Sequence, residues 1–259
     1  MDYCTNYWRV SIIKIDLHIH SSLSACGENI MSPQNILKKA EQSGLNLIAI
    51  TDHNAIAHSI LISKIKKASP VNIILGVELT TKEEVHLLGY FPDEVSIREM
   101  GKKINEYLPQ MENRASFFGD QLIYDQEGEI VEIDYLLRQN ALQISLDELV
   151  KLIHYLGGLA IPAHINRDYC SIKSQIGFLD PKSEFDAVEL SRYEWIKKKC
   201  KIGDLIEGFP VISGSDSHFL EDIGTFYFEV DDEHYIIDFD SLKYFLRQIK
   251  IERFSRPSF

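Results

Sequence analysis

The run Asp16-Leu17-His18-Ile19-His20 places two imidazoles two residues apart. A strand has a side-chain period of two, so His18 and His20 share a face and both can reach one metal ion. A lone histidine at a strand end is more often a hydrogen-bonded core or rim residue, whereas a pair on one face favours a metal. Further short apolar runs end in Thr51-Asp52-His53, Gly76-Val77-Glu78, Pro162-Ala163-His164 and Gly214-Ser215-Asp216-Ser217-His218, and His86 lies on another with apolar flanks. Six histidines and two acids therefore stand at or near strand ends. Imidazoles mixed with carboxylates suit zinc, iron or manganese better than calcium. Nothing in the chain resembles a Gly-rich phosphate loop or a Gly-x-Ser-x-Gly elbow.

Such residues can converge only if the strands carrying them end on one side. The chain repeats a short apolar run, then a histidine or acid, then a helix-like segment, which is the pattern of βα units. Strands are predicted over Lys14 to His20, Leu45 to Thr51, Val71 to Val77, Val85 to Phe91, Leu159 to Ala163, Phe185 to Leu190, Pro210 to Ser213 and Phe226 to Val230. Ser32-Pro33 supplies an N-cap and a first-turn proline for a helix to Ser43, with Gly44 as its stop. Ser145 and Glu148 form a capping box for a helix that runs to Gly157-Gly158. Between Asp93 and Ile144 the spacing breaks into a helix near Glu94 to Leu108 and a hairpin over Leu122 to Ile133 turning at Gln126-Glu127-Gly128, which reads as an insertion. Mostly parallel strands alternating with helices predict an α/β, TIM-like barrel of about seven or eight units, with an open doubly wound sheet as the runner-up.

The 259 residues fit one domain of barrel size. With 27 basic and 39 acidic side chains the net charge is −12, which repels polyanions over most of the surface. An extended nucleic-acid surface is therefore not expected, although bound cations could attract a phosphate locally. No apolar stretch reaches membrane-span length. The first ten residues lack a basic start followed by an apolar run, so a cytoplasmic protein is expected. Cys4, Cys26, Cys170 and Cys200 show no Cys-x-x-Cys pair, so neither a zinc ribbon nor a redox motif is indicated.

Taken together, His-x-His, Thr-Asp-His, Gly-Val-Glu and Gly-Ser-Asp-Ser-His resemble the PHP family, the polymerase and histidinol phosphatase metal-dependent phosphoesterases, over about Lys14 to Val230. Asn113-Arg114, Phe117 to Gln121 and Ile161 to Arg167 are similar to a stand-alone bacterial subgroup. The resemblance implies a single domain over 1–259, a distorted (β/α)7 barrel with a cap-like insertion at about 93–144. It implies two or three divalent ions: His18, His20, Glu78 and Asp216 on one, His53 and His218 on a second, and Glu78, His86 and His164 on a third. The family's Ser-Asp-Gly after His-x-His is replaced by Ser24-Ala25-Cys26-Gly27-Glu28; Glu28 or Cys26 could substitute as a ligand, against the plainer readings of a solvated acid and a packed thiol.

The implied activity is hydrolysis of a small phosphoester, a nucleotide or related compound, by a metal-bridged hydroxide. Asp52 would fix a histidine tautomer from behind the ligands or cap a helix start. Arg167 and Arg192 would clamp a phosphate or serve as surface ion pairs. His58, His154 and His234 lie outside the motifs and read as structural or solvated. The rivals are a non-catalytic metal-binding module and an amidohydrolase of C–N bonds. Thr-Asp-His and Gly-Ser-Asp-Ser-His fit the amidohydrolase pattern poorly.

Overall fold

The computed structural model describes residues 12–66, 69–191, 206, 208–231 and 236–255. In chain order, strand β1 (Ile12–Ile19) leads to helix α1 (Pro33–Gln42), β2 (Leu47–Ile50), α2 (Ala57–Ile65), β3 (Asn72–Ile73), β4 (Leu75–Thr80) and β5 (His86–Phe91). Helices α3 (Glu94–Tyr107) and α4 (Ala115–Phe118) and strands β6 (Leu122–Tyr124) and β7 (Ile130–Ile133) follow. Then come α5 (Leu146–Tyr155), β8 (Leu159–Pro162), α6 (Ile172–Gln175), β9 (Val188–Glu189), β10 (Val211–Ile212), β11 (Phe228–Asp231) and a C-terminal helix, Phe239–Ser255.

Local signals set several boundaries. Ser32 Oγ accepts from the Asn35 amide at 3.2 Å, Pro33 occupies the first turn, and Gly44 leaves α1 at φ +70°. Ser145 and Glu148 make both bonds of the capping box at the start of α5, and Gly157 follows that helix at φ +79°. The expected hairpin is present as β6 paired antiparallel with β7.

The strands form an α/β fold in four sheets, ordered β11-β1-β2-β3, β4-β5-β8, β9-β10 and β6-β7, and their pairing closes no ring among the described residues. Among the described residues, the parallel ladders between strands are β1-β2, β2-β3 and β9-β10. Strand β5 instead runs antiparallel to both β4 and β8. Only Thr81 to Val85 connect β4 to β5, too short for the crossover a parallel pair requires, so the link is a hairpin. The predicted strand Val71 to Val77 divides at Ile74, with β3 pairing β2 while β4 pairs β5.

Aliphatic side chains from β4, β5, α3 and α5 make one core, including Val77, Leu87, Ile97, Met100 and Ile153. The helix α3 thus packs into the main body, although its sequence lies inside the stretch read as an insertion. A second core joins Ile15 and Leu17 of β1 and Leu47 of β2 with Leu88 of β5, Ile161 of β8, and Leu242 and Leu246 of the C-terminal helix. Tyr90, fully buried, donates from its hydroxyl to the Leu17 carbonyl at 2.9 Å and ties β5 to β1 directly below the histidines. No helix among the described residues is long and apolar enough to cross a membrane.

Candidate metal centre

The end of β1 is irregular: Asp16 pairs with Ile48 and Ile19 with Ile50, so β1 carries one extra residue between those pairs. A bulge of this kind re-aims side chains. His18 and His20 end with their Nε2 atoms 3.2 Å apart, both fully buried. Parallel bridges join Ile19 to Ser217 and His53 to Glu78, bringing the loops after β10 and β2 against the ends of β1 and β4.

Glu78 is the hub. Its Oε1 lies 2.9 Å from His86 Nδ1, 3.3 Å from His164 Nε2 and 3.4 Å from His18 Nε2. Its Oε2 lies 3.0 Å from His53 Nδ1 and 3.2 Å from His20 Nε2. On the other side Asp216 Oδ1 sits 3.2 Å from His20 Nε2 and 3.3 Å from His18 Nε2, and His218 stacks on His20 with ring centroids 4.2 Å apart. His164 and Asp216 hold left-handed backbone, at φ +32° and +52°, a conformation costly for side-chain-bearing residues that concentrates at functional sites.

Both Glu78 oxygens, His53 Nδ1, His86 Nδ1 and His164 Nε2 are buried without an aligned hydrogen bond, despite lying within 3.3 Å of one another across these pairs. Buried polar atoms are nearly always paired. Buried polar atoms that converge without aligned hydrogen bonds between them fit cations, and three triads bring ligand atoms within 4.8 Å: His18 with His20 and Glu78, His20 with His53 and His218, and His53 with Glu78 and His86. His20 thus belongs to two triads.

The electrostatics follow from crowding. Burial would push the Glu78 carboxyl up, but His86, His18 and His53 hold it well below the usual range. Burial depresses His20, yet Asp216 and Glu78 raise it to about 10. Burial and the neighbouring His20 bring His218 down to about 4. Burial lifts Asp16, whose Oδ1 accepts from the Ser215 amide at 2.9 Å, to about 7.

Asp52 bonds no imidazole directly. It accepts from the Ser21 amide at 2.7 Å, the Ser21 hydroxyl at 2.6 Å and the Ser24 hydroxyl at 2.8 Å, and Ser24 in turn meets His20 Nδ1 at 3.0 Å. Arg167 donates to Asp216 Oδ2 at 2.6 Å and lies 4.9 Å from the Tyr169 ring centre. Arg192, His234, Cys4 and Cys200 fall outside the described residues. Glu28 turns its carboxylate to the Leu220 amide, at 3.2 Å. Burial raises the Cys26 thiol, but its hydrogen bond to His53 brings it below its ordinary value. His154 pairs with Asp186 at 2.9 Å, and His58 is fully buried and hydrogen-bonded.

Glu189 is the residue that motif reading missed. Its carboxylate spans His18 Nδ1 at 2.9 and 3.0 Å and accepts the His164 amide at 3.0 Å, all buried. A carboxylate behind a ligand imidazole fixes its tautomer and strengthens it as a donor. The available signal was an acid inside the apolar run Ala187-Val188-Glu189-Leu190.

Known proteins show the same fold. Over 107 residues the chain is 35% identical to an uncharacterized protein of Methanocaldococcus jannaschii, a match spanning 36% of this chain and 62% of that one. The lesion-specific endonuclease Q of Pyrococcus furiosus superposes with a TM-score of 0.65 at 22% identity, covering 92% of this chain and 56% of the endonuclease. A putative metal-dependent phosphoesterase of Bifidobacterium adolescentis superposes with a TM-score of 0.55 at 15% identity, covering 90% of this chain and 96% of the other. The chain therefore spans less than two thirds of the archaeal relative and of the endonuclease.

Endonuclease Q has also been captured with a 27-mer duplex substrate bearing an abasic lesion at the active site. This corrects the expectation of no extended nucleic-acid surface. A net charge of −12 sums the whole surface, whereas a duplex meets one face, where bound cations can reverse the local field. The PHP domain model matches residues 16–205 and the PHP-associated model residues 207–253. With most of its length matched, the chain belongs to the PHP domain family, and its buried His/Glu cluster has ligand atoms close enough to hold metal.

Proposed function

We propose that this chain hydrolyses the phosphoester of a nucleotide at a centre of two or three divalent ions. The observation that carries the reading is Glu78, whose two unsatisfied oxygens lie 2.9–3.4 Å from five imidazoles. His18, His20, Glu78 and Asp216 would hold one ion, His53 and His218 a second, and His86 and His164 a third that shares Glu78. Bound zinc, iron or manganese supplies Lewis acidity toward phosphoryl oxygens and lowers the pKa of a coordinated water toward neutrality.

The protein's own part is to aim these donors. Glu189 turns His18 from behind, Ser24 turns His20, and Arg167 holds Asp216 Oδ2 so that Oδ1 faces His18 and His20. The remaining guanidinium N–H groups of Arg167 are suited to a phosphoryl oxygen. The chain reads as one domain whose strands follow a distorted (β/α)7 arrangement, with the segment from 112 to 136 lying over the loop after β1 as a cap. That segment contacts the loop through the Leu122 amide, which donates to the Ser22 carbonyl at 2.8 Å.

A second reading, that the nucleotide sits within a strand, is favoured by the fold shared with a duplex-bound endonuclease. The test is hydrolysis of a panel of nucleotide monophosphates, a short oligonucleotide and a duplex with an abasic site, by metal-replete wild type and His20→Ala. Turnover of mononucleotides that His20→Ala abolishes supports the first reading, and cleavage of strands alone supports the second. Equal turnover by the variant would remove the centre from the chemistry.

A further inference from the structure

The centre is joined to the β6-β7 hairpin through a chain of hydrogen bonds whose proton directions are fixed at both ends. At one end, the Tyr124 amide of β6 can only donate, and it meets His58 Nε2 at 2.9 Å. His58 Nε2 is therefore the acceptor nitrogen, and the proton of the neutral ring sits on Nδ1, 2.7 Å from Ser21 Oγ. At the other end, the Asp52 carboxylate accepts from both serine hydroxyls. Ser21 gives its hydroxyl proton to Asp52 Oδ2 at 2.6 Å and so receives from His58; Ser24 gives its own to Oδ1 at 2.8 Å and so receives from His20 Nδ1 at 3.0 Å. His20 Nε2 is left facing the ligand cluster, 3.2 Å from both Glu78 Oε2 and Asp216 Oδ1, as the nitrogen on which an ion would replace a proton. His20, Ser21, Ser24, Asp52 and His58 are all fully buried.

We propose that His58 is a positioning residue that couples docking of the β6-β7 hairpin to the metal-ready tautomer of His20. The inference rests on the metal-centre reading above and assigns a role to a histidine outside every ligand motif. The hairpin has further contacts with the loop after β1, among them a bond from the Ser22 hydroxyl to the Leu122 carbonyl at 3.4 Å. The Leu122 amide donates to the Ser22 carbonyl at 2.8 Å, and the Tyr124 hydroxyl to the Asn29 carbonyl at 2.8 Å. A docked hairpin holds His58, His58 holds Ser21, and the two serines around Asp52 hold His20 with Nε2 aimed at the ligand cluster. By linkage the effect is reciprocal: an ion on His20 stabilises the docked hairpin as much as docking favours the ion. Partners behind a ligand imidazole typically change metal affinity roughly 10–100-fold.

The experiment uses the full chain and zinc(II) alone. Affinity is read by competition with a chromophoric chelator, and docking by hydrogen exchange of the amides from 122 to 124. Zinc should slow exchange of these amides in wild type. His58→Leu should weaken zinc binding roughly 10–100-fold and abolish the zinc-dependent slowing. His58→Gln, whose amide can accept from Tyr124 and donate to Ser21, should recover part of both. Ser24→Ala breaks the chain at its other end and should uncouple the hairpin in the same way, which keeps the test decisive if His58→Leu misfolds. Wild-type zinc affinity in His58→Leu, or hairpin exchange indifferent to bound zinc in wild type, would overturn the coupling. Absence of zinc binding by wild type would overturn the metal centre and this inference with it.

Discussion

Glu189 stands 171 residues from His18 in sequence, yet both of its carboxylate oxygens lie at 2.9 and 3.0 Å from His18 Nδ1, and one of them accepts the His164 amide. One side chain thus sets two of the proposed ligands, one on β1 and one just after β8, and an amide in its place offers only one acceptor oxygen. Glu189→Gln is expected to weaken metal binding roughly 10–100-fold while leaving the far-ultraviolet circular dichroism unchanged. Chelator competition measures it, and wild-type affinity in the variant would reduce Glu189 to a packing residue. The clustered residues were legible because they lie in short motifs at strand ends: His18, His20, His53, Glu78, His86, His164, Asp216 and His218 come together in the structure. Glu189 and His58 were not legible in the same way. Their partners are distant in sequence, and nothing local separates an acid in an apolar strand, or a histidine in a helix, from an ordinary core residue.

At the scale of elements, what could be read depended on whether the cause was local. The ends of α1 and α5 follow from a serine, a proline and a glycine within a few residues, and the structure shows those caps. Strand direction and pairing depend on contacts made elsewhere, so the antiparallel course of β5 and the division of the third strand at Ile74 left only faint marks. The length of the Thr81 to Val85 link was the usable one. The capping box gives a direct check on local causes. Ser145 Oγ accepts the Glu148 amide at 3.4 Å and Glu148 reaches back to the Ser145 amide at 3.2 Å. The cap holds α5, which contributes Leu149 and Ile153 to the main core. Ser145→Ala should cost about 1 kcal/mol, read as a lower denaturation midpoint with an unchanged slope. A midpoint equal to wild type would mean that tertiary packing alone holds the start of α5.

For the molecule as a whole, the net charge of −12 and the buried cluster pose one question, because a chain this acidic stores like charges that cations would neutralise. Glu78 and Asp216 lie within 3.2 Å of His20 and raise its pKa to about 10, so in the metal-free protein near neutrality a proton sits where an ion would bind. A metal must displace that proton, and affinity therefore rises with pH throughout the range below about 10. The sign for stability follows. Without metal, the raised His20 stabilises the fold most below the unfolded value near 6.5 and loses that contribution as pH rises toward 10, so bound ions matter more at the alkaline end. Each displaced proton adds about 1.4 kcal/mol of binding free energy per pH unit, and ligand that binds only the folded state raises the melting temperature accordingly. Saturating the chelator-treated protein with zinc should therefore raise Tm more at pH 8 than at pH 6, with protons released into a weakly buffered solution as the metal binds. A zinc-induced shift equal at the two pH values, with no proton release, would place the ion away from His20 and detach the acidic core from the chemistry proposed for it.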